Sequence, residues 1–226
     1  MSSKIVLYTT RRTPGGRAVQ ITSHILGLNV DLKYVDLSKK EQMSEDYLKM
    51  NPFHTVPTIT DAGVPVYDSH AILVYLVSKY GKDDSLYPKD LVTQARINAW
   101  LHFDSSILFP RLRGALEPVF YFGATEIPQA RFEAIEKAYE LLEGALKSNF
   151  LVGDSMTLAD ISVTTSLASL NGVFPMSEGK FPKLCTFMKR MEQTMPCYKE
   201  YNADVLEETK VFLKQKLDEN NKKSKQ

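Results

Sequence analysis

Residues 51–80 hold the groups whose types and spacing are best suited to chemistry. They run Asn51-Pro52-Phe53-His54-Thr55-Val56-Pro57-Thr58-Ile59-Thr60-Asp61-Ala62-Gly63 and then reach Asp68-Ser69-His70-Ala71-Ile72. Val56 and Pro57 open an apolar run that ends at the Asp61-Ala62-Gly63 turn. A proline at the start of a strand removes one ladder donor, so this spacing predicts an edge or interrupted strand. If the Val56–Pro57 bond is cis, the turn aims the N–H and C=O of Val56 outward, ready to pair with an extended ligand. Asp68-Ser69 stands before the apolar spacing of residues 71–77, where an acid or hydroxyl caps a buried helix. The unpaired N–H groups behind such a cap form an anion site. The unit therefore offers a main-chain pairing edge, a helix N-terminus for a carboxylate and Asp68 for an amine. A small peptide with an α-amino-acid head uses all three.

These groups need a frame. Residues 5–80 alternate: strand Ile5-Val6-Leu7-Tyr8, a turn, a helix over 17–26 stopped by Gly27, a strand over 32–36, a short helix near 42–49, then the segment above. That order predicts a thioredoxin-like layer, a mixed sheet flanked by helices, over 1–81. Residues 82–90 are polar and turn-rich and read as a linker. Beyond them no strand alternation persists. Helices are expected at 91–121, 128–147, 157–170, 181–193 and 205–218, giving an all-α domain over 91–218, with 219–226 as a frayed, Lys-rich tail. Pro110 should kink the first of these helices. Thr157-Leu158-Ala159-Asp160 reads as a helix cap with an acid reaching back, a folding device.

The chain has 226 residues and a formal net charge of +1, which is enough length for a sizeable core and no field for nucleic acid or anionic lipid. No apolar run approaches the roughly 18 residues of a membrane span, and no signal-peptide pattern opens the sequence. Two cysteines, Cys185 and Cys197, argue against a disulfide scaffold and fit a reducing, cytoplasmic setting. The four histidines show no metal-ligand spacing, so no metal site is expected.

The motif Asn51-Pro52-x-His54-Thr55-Val56-Pro57 with Asp68-Ser69-His70-Ala71-Ile72 resembles the glutathione site of the cytosolic glutathione transferases, in particular the insect delta and epsilon classes, epsilon more than delta. The resemblance runs from Ile5 to about Tyr201. It implies glutathione as co-substrate, a homodimer, and conjugation of the glutathione sulfur to hydrophobic electrophiles, with peroxidase or dehydrochlorinase side activity sharing the site. Val56 would pair with the cysteinyl unit, Asp68 and Ser69 hold the γ-glutamyl head, and Thr55 and Pro57 complete the turn. His54 and Gln42 stand at the glycyl end; Gln42 replaces a frequent histidine, so it donates without charge. The hydroxyl that activates the thiol maps to Thr13 in Thr10-Arg11-Arg12-Thr13-Pro14-Gly15-Gly16-Arg17, where Pro14 suits the first helical position and Thr13 the cap. The family's serine is replaced by threonine, which keeps the hydroxyl but adds a methyl and stiffens χ1. Gly15-Gly16 is also unusual and reads as room for a ligand to approach the backbone. Tyr8 is the rival activator, after the tyrosine-dependent classes.

In the second half, Leu108, Leu112, Ala115 and Val119 form one helical stripe and Arg113, Leu116 and Phe120 a neighbouring one. Read alone, both are core. The resemblance offers the alternative that Leu112, Leu116 and Phe120 face the electrophile. Arg113 is either at the pocket mouth or in a surface ion pair. Two further readings stand beside the enzyme: a non-catalytic, glutathione-dependent carrier of hydrophobic ligands, favoured by Thr13, and a structural module of a translation complex, disfavoured by the intact His54, Asp68 and Ser69.

Overall fold

The structure, a computed structural model, describes residues 5–225. Its first part orders as β1 (Ile5–Thr9), α1 (Pro14–Ile25), β2 (Val30–Tyr34), α2 (Glu45–Met50), β3 (Thr58–Asp61), β4 (Val64–Tyr67) and α3 (Ser69–Tyr80). The sheet order is β2-β1-β3-β4, with β1 parallel to β2 and antiparallel to β3, and β3 antiparallel to β4. Ile5, Leu7 and Thr9 alternate inward along β1, and Leu7 pairs across to both Leu32 and Ile59. One correction falls here. β3 is a central strand, flanked by β1 and β4, and not an edge; Pro57 is accommodated because the ladder begins one residue later, at Thr58 paired with Tyr67.

The second part is helical: α4 (Leu91–Phe103), α5 (Phe109–Tyr121), α6 (Gln129–Ala145), α7 (Leu158–Val173), α8 (Pro182–Thr194) and α9 (Asp204–Lys223). Among the described residues no helix is long and apolar enough to cross a membrane. The expected single helix over 91–121 is interrupted by a wide π turn at Asp104–Leu108. Pro110 causes this: it lacks the N–H that would close an ordinary turn, so the widening falls just before it and Pro110 sits in the first turn of α5. α7 is the axis of the molecule, buried at nearly every position from Leu158 to Leu170. Asp160 anchors its start. Its carboxylate accepts the Thr157 and Leu151 N–H groups at 2.8 Å each and the Thr157 hydroxyl at 2.9 Å, while burial pushes its pKa up.

One apolar cluster spans both parts, from Ile5 in β1 to Met195 beyond α8. Arg17 of α1 crosses that seam with its guanidinium fully buried. It donates to the carbonyls of Tyr201 (3.1 Å) and Thr165 (2.8 Å), to Asn202 Oδ1 (2.6 Å) and to the Ser169 hydroxyl. All these acceptors are neutral, and burial pushes its pKa down to about 10.

The C-terminus differs from the sequence expectation. α9 continues to Lys223, well into the stretch read as a frayed tail. Asn220 Nδ2 donates to the carbonyls of Val119 (2.9 Å) and Ala124 (2.8 Å), and Asn221 Nδ2 to that of Thr125 (3.0 Å). These carbonyls at and beyond the end of α5 need donors, and α9 supplies them.

Candidate functional site

Two helix N-termini meet beside the Val56–Pro57 turn. Glycine makes the approach possible. A Cβ at Gly15 would stand 2.7 Å from both Cβ and Oγ of Ser69, so the start of α1 lies directly against the start of α3. At Gly16 a Cβ would overlap the Thr9 hydroxyl and stand 2.8 Å from Thr13 Cγ2. The Gly-Gly pair therefore makes room for the protein's own side chains. The sequence expectation of room for a ligand to approach the backbone fits Gly15, which lines the cleft beside Ser69, but not Gly16, whose space Thr9 and Thr13 occupy.

Thr13 occupies the N-cap position of α1 with φ −70° and ψ 127°, yet its hydroxyl caps nothing. Its backbone alone joins the helix, with the Arg17 N–H donating to Thr13 O at 3.2 Å. Its methyl turns toward Gly16. The rival Tyr8 is placed elsewhere, edge-on to Tyr47 with ring centroids 6.1 Å apart and beneath Lys33.

The turn carrying Val56 is held from beneath by buried polar groups. Asn51 Nδ2 donates to Thr55 O (3.0 Å), Thr55 Oγ1 (3.1 Å) and Thr58 Oγ1 (3.0 Å), and its Oδ1 accepts the Phe53 N–H. The Tyr47 hydroxyl donates to Thr55 O at 2.6 Å. The Val56–Pro57 bond is cis, and Val56 lies outside the β3 ladder. At the start of α3, Asp68 has φ +72°, a conformation costing a non-glycine residue about 1–3 kcal/mol. Its Oδ1 accepts the N–H groups of His70 (3.0 Å) and Ala71 (3.1 Å), leaving Oδ2 outside the cap.

Thr13, Thr55, Val56, Pro57, Asp68 and Ser69 thus converge on one cleft of about 140 Å3, closed on the helical side by Asp104 and Phe109. His54, exposed at φ +47°, is next to this cleft in the chain without lining it. Gln42 lies on the short turn Glu41–Met43, and its buried Oε1 has no hydrogen-bond partner. Arg113 is exposed, ion-paired to Glu117 at 2.5 Å and poised 5.8 Å over the Phe109 ring. Leu112 and Leu116 are 5% and 7% exposed and belong to the apolar core. Of the two readings of these leucines, core and pocket-facing, helical phase favours the core. Leu112, Ala115, Leu116 and Val119 point inward, while Phe109, Arg113 and Glu117, spaced by four, form the outer face. Phe120 is half-buried on the rim, edge-on to Phe212 at 4.9 Å.

One cluster was not anticipated. His70 Nε2 lies 2.9 Å from Ser162 Oγ and 3.3 Å from Asp104 Oδ2, and the Ser162 hydroxyl donates to Asp104 Oδ2 at 2.6 Å. Because that hydroxyl is committed to the carboxylate, the arrangement holds the start of α3 against the helical part and leaves no nucleophile. Asp104, just after the apolar residues Trp100, Leu101 and Phe103, was the available signal, since a buried carboxylate needs partners.

The sheet layer and the helical part define a two-part protein with a thioredoxin-like first half, the architecture of the glutathione transferases. Residues 14–79 match the family model "Glutathione S-transferase, N-terminal domain" and residues 109–194 the model "Glutathione S-transferase, C-terminal domain". Glutathione S-transferase 1 of Manduca sexta is 42% identical over 202 residues, covering 88% of this chain and 92% of that protein. The chain belongs to the glutathione S-transferase family and is a glutathione S-transferase. Its structure is similar to an epsilon-class enzyme of the housefly, Musca domestica (TM-score 0.90, 42% identity, 94% of this chain and 98% of that one). It is equally similar to a Drosophila mojavensis glutathione transferase homologue with bound glutathione (TM-score 0.89, 42% identity, 95% and 98%).

Proposed function

We propose that this transferase ionises the glutathione thiol through Thr13 and adds the sulfur to hydrophobic electrophiles held between α5 and α9. Asp68 Oδ2 takes the γ-glutamyl amine, and Ser69 with the α3 N-terminus takes its carboxylate. Val56 pairs with the cysteinyl backbone, with Thr55 and Pro57 shaping that turn. His54 and Gln42 receive the glycyl end, and Arg113 stands at the acceptor mouth. The thiol proton leaves to solvent. The sulfur pair then forms the new C–S bond, and a displaced halide departs with its own pair.

A single observation carries this reading: Thr13 lines the cleft with Asp68 and Ser69, and its hydroxyl is left free of the α1 cap. A free thiol has a pKa near ~8.5, and one hydrogen bond to the thiolate, worth ~1.5–3 kcal/mol, lowers it by ~1–2 units. Gly16 supports the threonine, because a Cβ there would crowd the Thr13 methyl at 2.8 Å as well as overlap the Thr9 hydroxyl. Peroxidase and dehydrochlorinase side reactions use the same thiolate. A homodimer in the cytoplasm completes the reading, with Cys185 and Cys197 free, as in a reducing compartment.

The test is turnover of glutathione with a chloronitrobenzene-type acceptor, followed against pH. Conjugation with an apparent pKa well below that of free glutathione is expected. Tight glutathione binding without turnover would instead assign the glutathione-dependent ligand carrier, the reading that the added methyl of Thr13 favours.

A further inference from the structure

Beside the cleft, between residues 10–13 and α9, runs an open groove of about 540 Å3. Its apolar wall is Val211 and Phe212, and Phe212 meets Phe120 of α5 edge-on. Arg12 lies with its guanidinium carbon 4.0 Å from the Phe212 ring centroid. Arg12 directly precedes Thr13, so this cation is one residue from the hydroxyl assigned to the thiol.

The charges around it are already matched, except one. Glu208 is bound by Arg11 through two bonds of 2.7 and 2.8 Å, Asp204 by Lys199 at 2.9 Å, and Glu207 by Lys210 at 2.7 Å. Lys216, which also lies over Phe212, is paired with Glu219 at 2.8 Å. Across the opening Arg113 is paired with Glu117. Arg12 makes no ion pair among the described residues. Burial raises the Tyr121 phenol at the end of α5, and the Arg12 and Arg113 charges oppose that rise.

Building on the transferase reading, we propose that Arg12 selects acceptors carrying an anionic group on an apolar or aromatic frame. The frame lies along Phe212 and Phe120 while the fork of Arg12 takes a carboxylate, leaving the electrophilic carbon toward Thr13. A guanidinium held over a ring loses little further freedom when its fork grips a carboxylate.

The test uses two acceptors with the same reacting group, ethacrynic acid and its methyl ester, in the full chain and in Arg12→Leu and Arg12→Lys. The unmodified protein should prefer the acid in kcat/KM, and Arg12→Leu should cut that preference about three- to tenfold, the range expected for a solvent-accessible carboxylate–guanidinium pair. Arg12→Lys should restore part of it, and added salt should erode it. The KM for glutathione should stay constant throughout. A role confined to pinning α9 would lower acid and ester rates together with an unchanged ratio, and that result overturns the proposal. If the protein binds glutathione but turns over neither acceptor, the transferase reading fails on its own terms. Calorimetry with the preformed glutathione conjugates of acid and ester then decides this one: acid bound more tightly only when Arg12 is present supports it, and equal affinities overturn it.

Discussion

The two sides of the site are built differently. The glutathione side is made of backbone and buried polar groups: Asn51 and Tyr47 beneath the Val56 turn, Asp68 folded over the α3 N-terminus, and glycines that let α1 touch Ser69. The proposed acceptor side is made of side chains, Arg12 on the turn before α1, Arg113 and Tyr121 on α5 and the half-buried Phe212 on α9, joined by ring contacts and surface ion pairs. A ligand with a fixed head suits the first construction, whose geometry is set before binding. Varied acceptors suit the second, where one substitution changes shape or charge at little cost to the fold.

If the division is right, its largest effect falls in neither wall but in the core behind α5. Leu112→Ala or Leu116→Ala should destabilise the protein by about 2–5 kcal/mol in denaturant unfolding while leaving the order of preferred acceptors intact. A reordered acceptor profile with little stability loss would return these leucines to the pocket.

Next comes the thiol. Thr13→Ala should cut kcat/KM by ~10- to 150-fold, the rate equivalent of ~1.5–3 kcal/mol, and move the pH–rate profile upward. Thr13→Ser should keep or improve the rate, and Tyr8→Phe should change it little. Collapse at Tyr8 with a flat response at Thr13 would transfer the chemistry to β1.

Asp68→Ala probes the prebuilt head site in two ways. Losing the cap should cost about 0.5–2 kcal/mol of stability, and calorimetry should show a strong loss of glutathione affinity. Unchanged affinity there and in Ser69→Ala would remove the proposed head site.

The smallest effect belongs to the acceptor side. Arg11 holds the Glu208 carboxyl below its ordinary range. The stabilisation is therefore fully present above the unfolded value near ~4.3 and fades as pH falls through the lower folded value. Both partners are nearly half exposed, so Glu208→Gln should lower Tm by less than about 3 °C at pH 7, and the difference should vanish in acid. A larger shift would mean that α9 is fastened more firmly than exposed pairs allow.

The same division explains what could be read from residues alone. Asp68-Ser69 before an apolar helix and Val56-Pro57 before a strand are local signals, because cap and turn chemistry act over a few residues, and the structure brings these residues to one cleft. Helical phase was less secure. Neighbouring stripes on α5 differ by one position, so Leu112 and Leu116 stay open between core and pocket from the residues alone, while Phe109, which closes the cleft, goes unmarked. The His70–Asp104–Ser162 cluster joins three distant parts of the chain, so the lone local signal, an acid at Asp104, does not name its partners. β3 proved central because its ladder starts after the proline, and α9 outran its expected end because its partners, the carbonyls of Val119, Ala124 and Thr125, lie about a hundred residues earlier.

Arg17 has a consequence for how this architecture can be divided. Its guanidinium leaves the first half of the sequence and ends among acceptors supplied entirely by the second. Cutting the chain in the linker would strip this cation of every partner and open a polar hole beside α7. The halves are therefore not interchangeable modules: a grafted N-terminal half has to bring its own arginine socket or accept a vacancy at the centre of its host.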